Sequence, residues 1–475
     1  MNKKVEDIFE PAIPEVPKGW DVLPFEQAIE VISDKGKRVK QNAYLQRGML
    51  PVIDQGQEFI GGYSDDEDMV FEGDLPVILF GDHTRSIKYV DRPFAVGAEG
   101  VKILKPSGGL IPKYLYYLLR SLQIPSRGYS RHFQFLRKFH FPRAPEDQQK
   151  HIVAEIEKQF SRLDEAVANL KRVKANLKRY KAAVLKAAVE GRLVETEAST
   201  ARREGREYET GKQLLQRILE TRRDQWLARA DKVGGKGKGK YKEPAAPDTT
   251  GLPELPEGWV WARLDAIAAL KGGITVDSKR KDPAARSVPY LRVANVQRGY
   301  LDLSEVKFIE APESDIKELR LQRGDILFTE GGDRDKLGRG WIWEGQLADC
   351  IHQNHVFRAR LFLIDISQKL VSWWGNSFGK DYFLREGKQT TNLASINLTK
   401  LSAFPVPLPP STEQHRIVAE IDRRLSLIHE VEAQVDVNLQ RAERMRQSIL
   451  RKVFTGEFVV GQPEVVERLE AKVAY

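Results

Sequence analysis

Residues 151–157 read HIVAEIE and residues 416–422 read RIVAEID, so one chain contains the same heptapeptide core twice. The repeat extends without a gap from 148–194 to 413–459, where matching residues stand 265 positions apart. The shared residues are Gln149, Ile152, Val153, Ala154, Glu155, Ile156, Ser161, Glu165, Ala168, Leu185, Gly191 and Val194 in the first copy, and Gln414, Ile417, Val418, Ala419, Glu420, Ile421, Ser426, Glu430, Ala433, Leu450, Gly456 and Val459 in the second. A match of this length indicates an internal duplication, which decides the architecture.

The repeated segment is predicted to be a long α-helix in both copies. It contains no proline, and its apolar residues recur every three or four positions. The heptad positions are Ile156, Leu163, Leu170, Leu177 and Val184 in the first copy, and Ile421, Leu425, Ile428, Val435, Leu439, Ile449 and Val453 in the second. Such heptads predict a helix that another helix covers. Gly191 and Gly456 stand where a glycine commonly ends a helix.

The charges of the two copies indicate that the first predicted helix pairs with the second. Segment 171–181 contains six basic residues and no acidic one, whereas the second copy offers Glu430, Glu432, Asp436 and Glu443. The seam is interrupted by Lys174, Lys181, Glu432 and Arg446, which argues against a long homodimeric coiled coil. We predict that the two helices pair within the chain. Two solvated helices with unrelated partners remain the alternative.

Upstream of the helices the similarity is weaker but keeps its order. PKGW at 17–20 returns as PEGW at 256–259, Gly73-Asp74 returns as Gly324-Asp325, and Phe141-Pro142 returns as Phe404-Pro405. Each half is therefore predicted to be a variable globular part followed by a preserved helix. The predicted boundaries are 1–143 and 256–410 for the globular parts, 144–194 and 411–460 for the helices, 195–255 for a partly helical, flexible linker, and 461–475 for a C-terminal tail.

Composition limits the class of protein. With 475 residues, of which 41% are apolar, the chain is expected to form two or more domains. Its formal net charge of +9 favours an anionic partner such as nucleic acid. The single cysteine, Cys350, excludes an intramolecular disulfide. Since the sequence shows no signal peptide and no apolar run of roughly 20 residues, we expect a cytoplasmic protein without a membrane segment.

A search for catalytic motifs finds none. GGKGKGK in the linker lacks the spacing of a phosphate-binding loop, and no glycine-rich loop that follows a strand indicates a nucleotide or methyl-donor site. His352 and His355 supply two metal ligands at most, and one cysteine cannot complete a zinc site. Asp-x-Lys triplets begin at Asp277 and Asp315, but with 67 acidic residues such triplets arise by chance. We predict no catalytic residue and no metal site.

Both globular parts contain loops suited to DNA. An apolar strand runs into GDHTRSIKY at 81–89 and another into GGDRDKLGRGW at 331–341, and further polar stretches lie at 127–139, 352–355 and 387–397. Arginine can bind guanine O6 and N7 together, lysine neutralises phosphate, and amides suit adenine. The candidate DNA-binding residues are His83, Arg85, Lys88, Arg131, His132, Arg334, Lys336, Arg339, Gln353, Asn354, Lys388, Gln389, Thr391 and Asn392. Any one of these loops alone is consistent with an ordinary surface loop. Their recurrence at matching points of both halves favours a role in DNA binding.

The whole pattern resembles the DNA specificity subunit of type I restriction-modification systems. Four features carry the resemblance over almost the entire chain. They are PKGW and PEGW, PLPPSTEQ at 407–414 with its counterpart APEDQQ at 144–149, the IVAEI helices, and AAVLKAAVEGRLV at 182–194 mirrored by QSILRKVFTGEFV at 447–459. The first half departs from the second by having Ala-Pro in place of Pro-Leu-Pro-Pro, and the tail after Gly461 is short.

The resemblance implies a fold and a set of partners. The fold is α+β, with two mixed α/β target recognition domains joined by two long helices that form an antiparallel intramolecular coiled coil with pseudo-twofold symmetry. The spacer positions are Ile156, Leu163, Leu170, Leu177, Ile421, Ile428, Val435 and Leu439. The chain has no catalysis of its own and binds no cofactor. Its partners are double-stranded DNA, two methylation subunits that methylate adenine N6 and two restriction/motor subunits, which carry S-adenosylmethionine, ATP and Mg²⁺.

Helix length and sequence divergence sharpen this expectation. About 38 helical residues span roughly 57 Å, enough to hold two modules over half-sites about 34 Å apart. Because the modules differ in sequence, we expect an asymmetric bipartite target. Two alternatives remain: a recognition subunit whose single partner chain both cleaves and methylates, and a coiled-coil adaptor that binds peptides.

Overall fold

The computed structural model describes residues 9–97, 100–126, 128, 131–232, 240–276, 283–332, 337–389 and 394–454, with the backbone alone at 230–232, 332, 388, 389 and 394. The chain divides into two compact units. The first unit comprises residues 1–173 and 434–475, and the second comprises residues 174–433. Two helices of 44 residues each, Glu146–Val189 and Ser411–Phe454, contribute residues to both units. The two long helices predicted from the repeat are therefore confirmed.

The first unit holds a mixed module and the start of the first long helix. Its elements are β1 (Asp21–Pro24), α1 (Phe25–Ala28), β2 (Ile29–Ile32), β3 (Leu50–Ile53), β4 (Gly62–Ser64), β5 (Val77–Gly81), β6 (Ile87–Val90), β7 (Ala95–Val96), β8 (Val101–Pro106), α2 (Pro112–Ser121), α3 (Phe133–Leu136), β9 (His140–Arg143) and α4 (Glu146–Val189), with short 3-10 helices at Gln41–Ala43 and Glu67–Met69.

The second unit adds two helices before its own module. Its elements are α5 (Glu197–Glu204), α6 (Gly211–Lys232), β10 (Val260–Arg263), α7 (Leu264–Ile267), β11 (Ala268–Lys271), β12 (Arg286–Leu291), β13 (Val296–Gln297), β14 (Tyr300–Leu301), β15 (Lys307–Ala311), α8 (Glu313–Leu319), β16 (Ile326–Thr329), β17 (Gly331–Gly332), β18 (Gly340–Ile342), β19 (Ile351–His352), β20 (Val356–Leu361), α9 (Gln368–Asn376), α10 (Phe378–Glu386), β21 (Lys388–Gln389), β22 (Ala394–Ser395), α11 (Leu398–Ser402), β23 (Pro405–Leu408) and α12 (Ser411–Phe454), with a 3-10 helix at Val293–Asn295.

The two modules share one strand topology. The order β2-β8-β5-β6 in the first recurs as β11-β20-β16-β18 in the second, and β4-β3-β7 recurs as β15-β12-β19. In the sheets β4-β3-β7 and β15-β12-β19 the last pairing, β3 with β7 and β12 with β19, is parallel, whereas the other is antiparallel. A two-stranded sheet closes each module, β1 with β9 and β10 with β23. The duplication therefore extends through the regions in which the sequences have diverged.

The Gly-Asp repeat has the same structural partner in both modules. The Asp74 carboxylate accepts a hydrogen bond from Lys105 Nζ at 2.8 Å, and Asp325 accepts two bonds of 2.7 Å from the Arg360 guanidinium. Lys105 and Arg360 each stand one residue before the end of the equivalent strand, β8 or β20. Asp325 is buried and Asp74 is exposed. The bidentate pair of the second module is thus the stronger one, because exposed pairs contribute little.

A buried glutamine fixes the start of each long helix. Gln149 Nε2 donates to the Ala144 carbonyl at 2.8 Å, and its Oε1 accepts from the Ile111 N–H, just before α2, at 2.9 Å. Gln414 Nε2 donates to the Pro409 carbonyl at 3.0 Å. Its Oε1 accepts from the N–H of the residue before α9 at 2.8 Å. The repeated glutamine therefore ties each long helix to the helix of its own module.

The tryptophan of each motif, PKGW or PEGW, donates a hydrogen bond to the first turn of the long helix that follows its module. The Trp20 indole N–H donates to Gln148 Oε1 at 2.8 Å, and the Trp259 indole N–H donates to Glu413 Oε1 at 3.0 Å. Residues 148 and 413 occupy matching positions of the repeat. The motif at the start of each module is thus fastened to the helix that follows that module.

The long helices run antiparallel, because opposite ends share a core in each unit. In the first unit Ile156 and Phe160, near the start of α4, belong to one apolar cluster with Leu450 near the end of α12. An ion pair between Asp164 and Arg446 lies beside that cluster.

In the second unit the opposite ends meet. Val184 and Ala188 of α4 share a cluster with Ile417 and Ile421 of α12, and Arg424 donates to the Tyr180 hydroxyl at 3.3 Å. Along the heptads Ile156, Ile421, Ile428 and Val435 are buried, and Leu163, Leu170, Leu177 and Leu439 are half-buried. The pairing predicted from the repeat and the antiparallel direction that the resemblance implies are both confirmed.

The segment after α4 belongs to the second unit. The helix α4 ends at Val189. Gly191, two residues later, has a φ of +67°, and the Arg192 N–H donates to the Ala187 carbonyl at 2.8 Å as in a Schellman stop. Leu214 and Ile218 of α6 are fully buried in the core of the second module. Part of the segment predicted as a linker is therefore packed into this unit, because α6 supplies apolar residues to its core.

Within the described residues, none of the helices combines the length and the apolar character that a membrane span requires.

The buried amide of Gln414 predicts a measurable loss of stability on truncation. Gln414→Ala leaves the half-buried Ser367 N–H and the buried Pro409 carbonyl without this partner, which costs about 1–3 kcal/mol. The free energy of unfolding, followed by tryptophan fluorescence in urea, should fall by that amount. Gln216→Ala, at an exposed position of α6, should leave it within about 0.5 kcal/mol. Equal effects of the two substitutions would contradict this role of Gln414.

Candidate nucleic-acid interface

Three connections of the first module meet at one point, around Asp82. This residue follows β5 directly, and its N–H donates to the Gly100 carbonyl at 2.7 Å. Its own carbonyl accepts from the His132 N–H at 2.8 Å, and its Oδ1 accepts from the Phe133 N–H at 2.8 Å. The connections after β5 and β7 and the segment that enters α3 thereby form the first loop cluster, completed by connection 54–61 after β3.

The second module repeats this junction at Glu330. Glu330 follows β16, and its N–H donates to the His355 carbonyl at 2.9 Å. Its carbonyl accepts from the Ile396 N–H at 2.8 Å. The strands before both acids carry the shared letters ILF, so Asp82 and Glu330 are equivalent. The second loop cluster comprises residues 292–306, 330–332, 337–339, 353–355 and 394–397.

A further hydrogen bond links the connections after β3 and after β12 to the same junction. Ser86 Oγ donates to the Gln55 carbonyl at 2.8 Å, and Arg339 Nη2 donates to the Val293 carbonyl at 3.1 Å. Gln55 and Val293 are each the second residue after the strand, β3 or β12. The bond is therefore made at the same position in both modules by different donors.

Two of the predicted DNA contacts in the first module are exposed. Arg85 is exposed and has a φ of +60°, which is uncommon outside glycine and typical of functional turns. Its Nη1 donates to the Ile124 carbonyl at 2.8 Å, which holds the guanidinium against the loop cluster. Arg131 is exposed as well. His83 is half-buried, and its N–H donates to Gln55 Oε1 at 3.1 Å.

Lys88 is not a surface cation. Its side chain is 5% exposed, and the ammonium donates to the carbonyls of Asp54 at 2.8 Å and Glu58 at 2.5 Å. Burial lowers the pKa of Lys88. The prediction that Lys88 contacts DNA does not fit this position, because the buried ammonium donates its hydrogen bonds to carbonyls of connection 54–61.

His132 is likewise inside the module. It is 1% exposed, and its Nδ1 lies 2.9 Å from the Asp82 carbonyl oxygen. A direct contact between this imidazole and a base does not fit such burial. Its role in the structure is to fasten the segment before α3 to the end of β5.

Only some of the DNA-binding residues predicted for the second module lie in the described part of the chain. Arg334, Lys336, Thr391 and Asn392 lie outside the described residues, as do the side chains of Lys388 and Gln389. Arg339 is half-buried. Gln353 and Asn354 are half-buried, and their backbone N–H groups donate to the carbonyls of Leu291 and Ile274 at 2.9 Å. Their amide side chains make no hydrogen bond to any other described residue, so both remain suited to a ligand.

The histidines of HQNH have separate environments. His352 is fully buried, its Nδ1 lies 2.6 Å from the Val356 carbonyl oxygen, and burial lowers its pKa to about 4. His355 is exposed and paired with Glu330. Over the described parts of the chain no group of three or more His, Cys, Asp or Glu side chains is arranged to hold a metal ion.

Sequence reasoning missed the residues that organise both loop clusters. Asp82, Glu330 and Gln55 were not among the predicted residues, because their contacts run largely through backbone groups. The available signal was an acid two residues after ILF in both halves, as ILFGD and ILFTE. The structure brings Arg85, His83 and His132 together around Asp82, and Arg339, Gln353 and Asn354 into the second cluster.

Comparisons with known proteins agree with this architecture. No family model matches the chain. Over 207 residues the chain is 27% identical to the type I restriction enzyme EcoKI specificity subunit of Escherichia coli K12, covering 42% of this chain and 44% of that protein. Over 206 residues it is 26% identical to the EcoBI specificity subunit of Escherichia coli, covering 43% and 42%. The matches span less than half the length of these curated relatives.

A solved structure shares the fold at greater length. It describes complex assembly and conformational transition of the type I restriction-modification system, and one of its chains aligns with a TM-score of 0.58 at 16% identity. The alignment covers 94% of this chain and 100% of the other.

Fold and loop clusters together define a duplicated two-module protein built on a shared pair of antiparallel helices. In sequence the chain is similar to specificity subunits of type I restriction enzymes, and its fold is shared by a chain of the solved type I restriction-modification structure.

The buried imidazole of His352 predicts a loss of stability in acid. Its pKa is about 4 in the folded chain and near 6.5 when exposed, so the unfolded chain binds a proton that the folded chain does not. The stabilisation is present above pH 6.5 and is lost as the pH falls towards 4, at up to about 1.4 kcal/mol per pH unit. Tryptophan fluorescence reports this unit, because seven of the eight tryptophans lie within 174–433.

The matched variants are His352→Phe and Ile364→Ala. His352→Phe should flatten the dependence of the unfolding free energy on pH between 4 and 6.5, whereas Ile364→Ala, which removes an exposed side chain that does not titrate, should retain the wild-type slope. An equal slope in wild type and His352→Phe would show that this imidazole does not titrate on unfolding.

Proposed function

We propose that this chain is the DNA-reading, non-catalytic subunit of a type I restriction-modification complex. The observation that carries the proposal is the duplicated junction at Asp82 and Glu330, which presents different loops on the same frame in two modules. The sequence similarity to type I specificity subunits supports it. In this proposal each loop cluster reads one half of a bipartite target on double-stranded DNA.

The proposed target is asymmetric because the two loop clusters differ. Connection 54–61 is eight residues long, whereas its counterpart 292–306 has fifteen residues and contains the β13–β14 hairpin. Junction donors differ too, a serine hydroxyl in one module and an arginine in the other. Two unlike surfaces make unlike contacts with base edges, so the two half-sites should carry different sequences.

Partner subunits supply the chemistry in this proposal. Methylation subunits carry S-adenosylmethionine and methylate adenine N6, and restriction/motor subunits carry ATP and Mg²⁺; we propose two copies of each. The exposed faces of the long helices are the proposed binding surface for the methylation subunits. Apolar residues stand exposed there on both helices, Val173 and Tyr180 on α4 and Leu427 and Val431 on α12.

The modular proposal is tested by exchanging residues 17–143 for the corresponding module of another family member. Sequencing of N6-methyladenine in a host that carries the chain and its methylation partner should show a bipartite motif. The exchange should change one half of this motif and leave the other half intact. A change in both halves, or in neither, would contradict independent reading by two modules. Complete absence of N6-methyladenine with the unaltered chain would contradict the proposed function itself.

Arg85 is expected to contact phosphate or a guanine edge, because it is exposed on the first loop cluster. Arg85→Glu should weaken binding of the complex to its target duplex and lower the slope of log K against log salt by about one. Arg92→Glu is the matched control, since Arg92 is exposed in the turn between β6 and β7, at the other end of β6. Unaltered affinity with Arg85→Glu would remove this residue from the interface.

A further inference from the structure

The connections after β3 and after β12 are held by hydrogen bonds from residues 84–88 and from Arg339. Beneath connection 54–61, Lys88 donates to two of its carbonyls, and the hydroxyls of Thr84 and Ser86 both donate to the Gln55 carbonyl. A buried lysine with two carbonyl partners is costly to displace, because an unpaired buried charge is strongly unfavourable. Residues 84–88 are therefore positioning residues for the neighbouring connection.

Two glycines close the same connection tightly. A Cβ at Gly61 would lie 2.6 Å from Asp54 Oδ2, and a Cβ at Gly62 would lie 2.7 Å from Tyr44 Cβ. No other residue fits at these positions without displacement of its neighbours. The loop thus has one conformation fixed before any ligand binds, which lowers the entropic cost of binding.

The counterpart in the second module is supported at the same place. Arg339 donates to the Val293 carbonyl at 3.1 Å, and the Gly299 N–H, in the turn of the β13–β14 hairpin, donates to the Gly340 carbonyl at 3.3 Å. In both modules the loop after β5 or β16 therefore holds the connection after β3 or β12.

Each of these supported connections exposes an aromatic ring. Phe59 on connection 54–61 is 42% exposed, and Tyr300 on connection 292–306 is 57% exposed. Gln57 is exposed, and its amide makes no hydrogen bond to any other residue in the described part of the chain. An ordered loop that presents an exposed amide and an aromatic ring has the chemistry that reads base edges, since an amide pairs with adenine N6 and N7 and an apolar ring contacts thymine methyl groups.

We propose that connections 54–61 and 292–306 are the base-reading elements, with Gln57 and Phe59 contacting one half-site and Tyr300 contacting the other. This inference rests on the proposed function and deepens it. It moves direct readout from the basic loops at 81–89 and 331–341 to the connections that these loops support. Arg85 then contributes affinity, whereas Gln57, Phe59 and Tyr300 determine sequence specificity.

The test uses the full chain with its methylation partner in a host whose N6-methyladenine is sequenced. Gln57→Ala and Phe59→Ala should each relax one or two positions of one half-site. Methylation of sites that differ from the target at those positions should rise roughly fivefold or more relative to target sites. Tyr300→Ala should relax the other half-site only.

Controls lie at the opposite ends of strands in the same modules. Met49, 70% exposed before β3, and Ile364, 88% exposed after β20, are replaced by alanine, and both variants should retain the wild-type motif. Wild-type motifs in the Phe59, Gln57 and Tyr300 variants, or relaxation of both half-sites by a single variant, would overturn the inference. A wild-type chain that directs no methylation at all would instead overturn the proposed function.

A second measurement covers variants that lose methylation. The affinity of the purified complex for the target duplex is compared with its affinity for duplexes that carry one substituted base pair. A ratio that falls roughly fivefold or more in Phe59→Ala supports base reading. An unchanged ratio means that the loss is structural, and the inference fails.

Discussion

The burial of one amide side chain at the start of each long helix is the constraint on which the rest of the structure depends. Gln149 and Gln414 each join the first turn of a 44-residue helix to the backbone that enters the helix of its own module. Replacing either glutamine would leave its backbone partners without this hydrogen bond, which destabilises the fold. The position therefore tolerates little change. This explains why the glutamine is among the residues shared by both copies of the repeat.

The loop clusters, in contrast, depend little on the identity of their side chains. The hydrogen bonds that join the connections at Asp82 and Glu330 run mainly between backbone N–H and carbonyl groups, and any residue supplies these groups. Side chains on the connections are consequently free to diverge while the frame stays in place. The exchange of Ser86 for Arg339 at the equivalent junction shows the same freedom, since a hydroxyl and a guanidinium donate to the same carbonyl position. A frame of this kind suits a protein that must present many different reading surfaces.

Sequence patterns predicted the helices well and the loop clusters only in part. Heptads and the absence of proline give a direct signal for a long paired helix, and Gly191 marked its end. The same reasoning assigned Lys88 and His132 to DNA, because a basic or polar letter in a loop carries no information about burial. The structure buries both, since carbonyls of Asp54, Glu58 and Asp82 accept their hydrogen bonds. Shared topology in the diverged modules was also beyond the sequence, because strand order depends on long-range pairing.

The central claim is that two independent reading modules share one pair of antiparallel helices, whose length sets the gap between two half-sites. The most direct test inserts seven residues into both helices at the boundaries of the two units, after Val173 and after Ala433, and maps N6-methyladenine in the host. The insertion lengthens each helix by about 10 Å, so the unread gap should grow by about three base pairs while both half-sites keep their sequences. An unchanged gap, or altered half-sites, would contradict the claim.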